Sequence, residues 1–114
     1  MATPQPWHYQ FVTVDRILDG DTLQCTVDLG FGLRMTQHFR LLGVDAPELH
    51  GPTAVAGAAA RDWLVALLPP GTAVQIDSHK PDKYGRWLAE VWVMGRSVAV
   101  MLLEAGHAVP KTYH

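Results

Sequence analysis

Residues 22–41, TLQCTVDLGFGLRMTQHFRL, decide the fold, because they read as two strands joined by a tight reversal. Apolar and polar side chains alternate, which predicts strands with one buried face. Gly30-Phe31-Gly32 predicts the reversal between them. The period of two places Arg40 on the polar face, beside the core and not in it. The predicted core face is Leu23, Cys25, Val27, Leu29, Leu33, Met35, Phe39 and Leu41.

The segments on either side extend this hairpin. Residues 8–18 form an extended apolar run that Asp19-Gly20 ends, so a strand is expected before the hairpin. Residues 53–68 predict a helix, which Pro69-Pro70-Gly71 ends. The apolar side chains at helical spacing are Val55, Ala59, Trp63, Leu64, Leu67 and Leu68.

The rest of the chain completes a barrel pattern. It is predicted to form a strand over 72–77, a turn-rich loop over 78–86, a strand over 87–93, a helix over 98–105 capped by Ser97, and an extended tail over 107–114. Three strands, a helix, two strands and a helix is the order of an OB-type barrel. The predicted class is α+β, mainly β, with a five-stranded OB-fold barrel and two helices. Other α+β arrangements share this order.

Length and composition indicate one domain over residues 1–114, with 48% hydrophobic and 18% charged residues. Cys25 is the only cysteine, and its place in a strand favours a buried hydrophobe over a reactive thiol. The net charge is −2 and the pI is about 6.3. This balance argues against tight, salt-resistant nucleic-acid binding, although phosphate contacts need only a local basic patch.

The N-terminus has neither the basic nor the apolar segment of a signal peptide, and no apolar run approaches the ~20 residues that cross a bilayer. We therefore expect a cytoplasmic protein with no membrane partner, or a secreted one if a leader has been removed. The sequence leaves the oligomeric state open between monomer and dimer.

Three polar clusters flank the predicted strands. They are Asp19-Gly20-Asp21-Thr22, the segment RLLGVDAPE at 40–48, and Asp82-Lys83-Tyr84-Gly85-Arg86. Taken singly, the first and third clusters are typical of structural turns, and Arg40 would favour a surface salt bridge with Asp45 or Glu48. Taken together, the clusters supply the groups that phosphodiester hydrolysis needs.

Each charged group has a role in that reaction. Asp21 and Asp45 offer hard anionic oxygens that suit Ca²⁺. Glu48 can activate or position water. Arg40 and Arg86 can hold a phosphate in fork geometry and stabilise charge in the transition state.

At these clusters the sequence resembles the staphylococcal nuclease (thermonuclease) family, over roughly residues 9–110. The resemblance implies a nuclease that cleaves DNA and RNA with little sequence preference and leaves 3′-phosphate ends. It implies Ca²⁺ held by Asp21, Asp45 and the carbonyl of Ala46. The other implied roles are general base or water positioning for Glu48, phosphate binding for Arg40 and Arg86, and substrate contact for Lys83, Tyr84 and Tyr113.

The sequence departs from the family pattern at four places. Ala46 stands where a threonine is frequent, the segment 49–52 replaces a longer loop, and Ala99 replaces an asparagine. Since the chain given stops at His114, we expect a domain that lacks the family's C-terminal helix. The register of Tyr113 is off by one.

Two alternatives remain open. The first is a nuclease-like barrel that binds nucleic acid or protein with weak or no catalysis, and the second is an assembly component completed by a partner chain. The acidic pI favours the first, whereas the complete carboxylate and arginine set opposes it. Zinc is disfavoured, because the histidines show no paired ligand spacing.

Overall fold

The computed structural model describes residues 7–113, and its elements follow the predicted order with a few short additions. The elements are β1 (Trp7–Asp19), β2 (Thr22–Gly30), β3 (Leu33–Leu41), β4 (Val44–Asp45), a 3-10 turn (Gly51–Thr53), α1 (Ala54–Leu67), β5 (Ala73–Pro81), β6 (Trp87–Val93), β7 (Arg96–Ser97), α2 (Val98–Glu104) and β8 (Val109–Pro110). Strand β5 continues to Pro81, beyond the predicted end at residue 77, so the turn-rich loop before β6 is shorter than predicted.

Five of the strands close into a barrel. The sheet order is β3-β2-β1-β5-β6, and β3 also pairs with β6. The closing pair is parallel and joins Phe39 to Trp87 and Arg40 to Leu88. The prediction of an α+β fold with a five-stranded OB-type barrel and two helices is therefore confirmed. Closure has a functional consequence, because it brings the end of β3 beside the start of β6.

Most of the predicted apolar positions fill the barrel interior. Leu29, Leu33 and Met35 are exposed, contrary to the prediction, because this end of the β2–β3 hairpin extends beyond the residues that pair with β1 and β6. Leu23, Cys25 and Leu41 are fully buried. Burial, followed by the nearby Asp15 carboxylate, raises the pKa of the Cys25 thiol to about 12. Cys25 is therefore the buried small hydrophobe that its strand position predicts. Within residues 7–113, no helix has both the length and the hydropathy to span a bilayer.

One helix cap and one short strand pair fix the C-terminal part. The Ser97 hydroxyl accepts a hydrogen bond from the Val100 N–H at 3.3 Å, so the predicted cap of α2 is confirmed. Strand β8 pairs with β4 through Val44 with Pro110 and Asp45 with Val109. The tail that was expected to be extended is thus attached to the segment that carries Asp45.

The predicted face of helix α1 is confirmed in its second half and wrong in its first. Leu64 and Leu68 are buried and Trp63 and Leu67 pack against the core, whereas Ala59 is exposed. The buried residues are Gly57, Ala60 and Leu64, whereas Val55 is 87% exposed. The physical reason is a close approach of backbones. A Cβ on Gly57 would overlap the carbonyl oxygen of Glu48, so only the small-residue face of α1 fits here.

This close approach of the two backbones predicts whether a substitution at Gly57 raises or lowers the stability of the fold. Replacing Gly57 with alanine should lower the free energy of unfolding by about 1–3 kcal/mol, because the new methyl group must displace the Glu48 backbone. Helix propensity alone would change the stability in the opposite direction, by about 1 kcal/mol. Urea denaturation measures the difference. The exposed Ala59 provides the control, since Ala59→Gly should show only the propensity effect; a Gly57→Ala protein more stable than wild type would contradict the packing argument.

Candidate active site

A buried arginine joins two of the three sequence clusters at one end of the barrel. Nη2 of Arg40 lies 3.3 Å from Oδ2 of Asp21 and forms a closer ion pair with Oδ1 of Asp45. Asp21 follows the turn after β1, whereas Asp45 belongs to β4. The two carboxylates therefore converge on one guanidinium nitrogen.

The expectation that Arg40 stays outside the core is wrong. The residue is only 6% exposed, and its Nη1 donates to the carbonyls of Leu41 and Val44, each at 2.7 Å. The salt bridge with Asp45 does form, but it is not a surface pair. A guanidinium can be buried here because carbonyls and carboxylates replace its water shell.

Asp21 is a buried carboxylate fixed by several donors. Its Oδ2 accepts the N–H of Ala46 at 2.8 Å, and its Oδ1 accepts the hydroxyl of Thr22 at 3.2 Å. Burial raises the pKa of Asp21 to about 6, aided by the hydrogen bond with Asp19 and opposed by the Ala46 N–H and Arg40. An ionised carboxylate at this position is costly for the fold, which is a frequent property of functional groups.

Glu48 lies at the rim of the same region. Its backbone carbonyl accepts the Thr53 hydroxyl at 3.0 Å, and the residue is exposed. It lines a cleft of about 390 Å³ together with Asp45, Ala46 and His107. The structure therefore places Glu48 beside Asp45, on the solvent side of the buried cluster.

A second cleft, of about 440 Å³, has Arg40 in its lining. Its lining includes the predicted residues Lys83, Tyr84 and Tyr113. Tyr113 accepts the N–H of Gly43 at 3.0 Å through its hydroxyl oxygen, so it reaches the cleft despite its shifted register. Five of the nine lysines and arginines of the chain line this one cleft: Arg40, Lys80, Lys83, Arg86 and Lys111.

The third cluster joins the site through Arg86, which Asp82 holds in place. Asp82 accepts the N–H groups of Tyr84 and Arg86 through one oxygen, and the Arg86 Nε through the other at 2.8 Å. Burial by itself would raise the pKa of Asp82, but these donors and the guanidinium charge lower it below the usual range. Arg86 also reaches the Thr22 hydroxyl at 3.4 Å, next to Asp21.

Sequence reasoning missed three of these residues. Asp82 carries a recognisable signal, because an aspartate that opens a short turn often binds the following backbone N–H groups. Lys80 and Lys111 carry no such signal, since their places in the cleft depend on the length of β5 and on the β8 pairing.

The acidic residues fit a hard divalent cation held by few protein ligands. Asp21 and Asp45 bring two carboxylates close together, because both lie against Nη2 of Arg40. Among residues 7–113, no group of three or more His, Cys, Asp or Glu is arranged to hold a metal. A cation would therefore draw its remaining ligands from carbonyls, water or substrate, as Ca²⁺ readily does.

Several known proteins are similar to this chain. Thermonuclease of Staphylococcus intermedius is 34% identical over 104 residues, covering 88% of this chain and 59% of that protein. Thermonuclease of Staphylococcus hyicus is 32% identical over 108 residues, covering 91% and 61%. Endonuclease YncB of Bacillus subtilis is 37% identical over 103 residues, covering 85% and 46%. The chain thus spans about three-fifths of the length of the two thermonucleases.

A family model described as staphylococcal nuclease homologue matches residues 38–114. The matched region contains Arg40, Asp45 and Glu48 from one cluster and Arg86 from another. It covers most of the chain, including the segments that build both clefts. The chain therefore belongs to the staphylococcal nuclease family.

Proposed function

We propose that this protein is a Ca²⁺-dependent nuclease that hydrolyses phosphodiester bonds of DNA or RNA with little sequence preference and leaves 3′-phosphate ends. One observation carries the proposal: Asp21, Arg40 and Asp45 form one ion-pair cluster, in which Asp45 lines the same cleft as Glu48 and Arg40 lines a cleft rich in cations. Relatives named thermonuclease and endonuclease support the same activity.

The charge distribution supports a polyanionic substrate. The net charge of −2 is a whole-chain sum and does not describe the local field. Five of the nine basic side chains lie in one cleft, which creates the local field that phosphate contacts require. The acidic side chains elsewhere on the surface do not oppose these phosphate contacts, because salt largely screens charges that lie more than about 10 Å away.

The substrate would be held mainly by its backbone. Arg86, Lys80 and Lys83 present charges to phosphates, while the exposed Tyr84 and Tyr113 offer rings on which bases can stack. Stacking and phosphate contacts carry little sequence information. This explains the proposed tolerance of sequence and of both nucleic acids.

The chemical step assigns a distinct task to each residue. Glu48 takes a proton from water, and the water oxygen attacks phosphorus. The bond to the 5′-oxygen breaks, that oxygen takes up a proton from solvent, and the phosphate remains on the 3′ side. Glu48 then returns its proton to solvent. Arg40 and Arg86 stabilise the added negative charge on the phosphoryl oxygens. Asp21 and Asp45, with the Ala46 carbonyl, would hold Ca²⁺, which when bound supplies further positive charge at the phosphoryl group.

Degradation of plasmid DNA and of RNA, with Ca²⁺ or with EDTA, tests the proposal. We expect cleavage only with the metal, and we expect Glu48→Gln to reduce it by about 10²-fold or more, the usual effect of losing a general base. Glu104→Gln is the matched control, because Glu104 is exposed on α2 and outside both clefts. It should retain wild-type activity.

Other results would separate the alternatives. Mapping of the product ends checks the position of the broken bond, since 5′-phosphate ends would exclude the proposed cleavage. A protein that binds nucleic acid but does not cut it with any divalent cation would support the binding-module alternative.

The raised pKa of Asp21 gives a second prediction, on stability. The folded state holds the Asp21 proton more tightly than the unfolded state, where the ordinary value is near 3.8, so stability is lost as pH rises from about 4 to about 6. Asp21→Asn removes this loss. It should raise the free energy of unfolding in EDTA by about 1–3 kcal/mol at pH 7.5, while abolishing cleavage.

Urea denaturation at pH 5 and pH 7.5 measures this effect. The gain should shrink at pH 5, where Asp21 is largely protonated in the folded protein. Asp62→Asn is the control, because the side chain of Asp62 is 71% exposed and lies on the surface of α1. An Asp21→Asn protein no more stable than wild type at pH 7.5 would show that the buried charge is fully compensated.

A further inference from the structure

Lys111 lies against the candidate metal site although it follows the last strand of the chain. Its backbone N–H donates to the carbonyl of Gly43 at 2.9 Å. Its Nζ lies 3.6 Å from Oδ2 of Asp45. The pairing of β8 with β4 therefore places Lys111 next to the Asp45 carboxylate, which also pairs with Arg40.

The two cations that contact Asp45 differ in freedom. The Arg40 side chain is 7% exposed and donates to two backbone carbonyls, so it is fixed. The Lys111 side chain is 38% exposed, sits on a flexible stem, and lines the cationic cleft beside Arg86. Its contact with Asp45 is long and makes only a weak pair. Lys111 can therefore exchange between Asp45 and another anion in the cleft.

We propose that Lys111 couples metal binding to nucleic-acid binding. In the metal-free protein its ammonium group pairs with the Asp45 carboxylate. When a divalent cation binds that carboxylate, the ammonium group moves away and binds a phosphate of the nucleic acid in the cleft. The inference rests on the proposed function, since it takes Asp45 as a metal ligand. It requires that each ligand improve the affinity for the other by the same factor, because such coupling is reciprocal.

The first test measures metal binding without nucleic acid. Calorimetric titration with Ca²⁺ alone should show about three- to fivefold tighter binding to Lys111→Met than to wild type, because the competing cation is gone. Lys111→Arg keeps the charge and should stay within about twofold of wild type. Arg96→Met is the control for lost positive charge. Arg96 is exposed on β7, which follows the C-terminal end of β6, whereas Arg86 precedes the N-terminal end of β6.

The second test measures the coupling. In a Glu48→Gln background, which should slow cleavage by about 10²-fold or more, the affinity for a short single-stranded DNA is measured with Ca²⁺ and with EDTA. The ratio of the two affinities should fall at least threefold when Lys111 is replaced with methionine. The same replacement should tighten Ca²⁺ binding and weaken DNA binding in Ca²⁺, and a purely structural role would not produce these opposite signs.

Several results would overturn the inference. They are unchanged or weaker Ca²⁺ binding by Lys111→Met, no measurable Ca²⁺ binding by either protein, or an unchanged coupling ratio. The midpoint temperature of thermal unfolding is measured for each Lys111 variant. A midpoint equal to that of wild type shows that a negative binding result does not come from misfolding. The proposed nuclease activity fails separately, because that failure appears as no cleavage by the wild-type protein with any divalent cation.

Discussion

The burial of the Arg40 guanidinium is the interaction on which the site depends. One nitrogen bonds two carbonyls at the end of β3 and in β4, and the other faces the carboxylates of Asp21 and Asp45. A charge this deeply buried needs carbonyls and carboxylates in place of its water shell. The turn after β1, strand β3 and strand β4 must therefore keep their relative positions, and the candidate metal ligands are held together as a result.

Close backbone packing between helix α1 and the segments that carry Asp21 and Glu48 supports this cluster. A Cβ on Gly20 would lie 2.7 Å from the Cβ of Ala46 and 2.8 Å from that of Ala60. Gly57 meets the Glu48 backbone in the same way. Helix α1 thus packs against both the Asp21 turn and the Glu48 segment. Only small residues fit at these two contacts. The rigidity suits a site in which the proposed base must stay near the carboxylates.

The site also carries a cost to stability that its proposed function explains. Asp21 is buried enough to raise its pKa to about 6, so its ionised form opposes folding near neutral pH. A structural role alone would be served by a neutral side chain of similar shape. A carboxylate kept ionised against this cost is consistent with a ligand for a cation, which would offset the cost when bound.

The sequence by itself determined the five barrel strands, apart from the end of β5, together with the capped second helix, the buried Cys25 and the three charged clusters. Alternation, capping and turn chemistry are local properties. Only the tertiary structure decided how these parts meet. The parallel β3–β6 pair brings Arg40 beside the segment that begins with Arg86, and the β4–β8 pair brings Lys111 to Asp45. Burial of Arg40 and the small-residue face of α1 likewise depend on contacts between distant segments. Periodicity assigns a side chain to one face of its own element, but which element covers that face is fixed by packing.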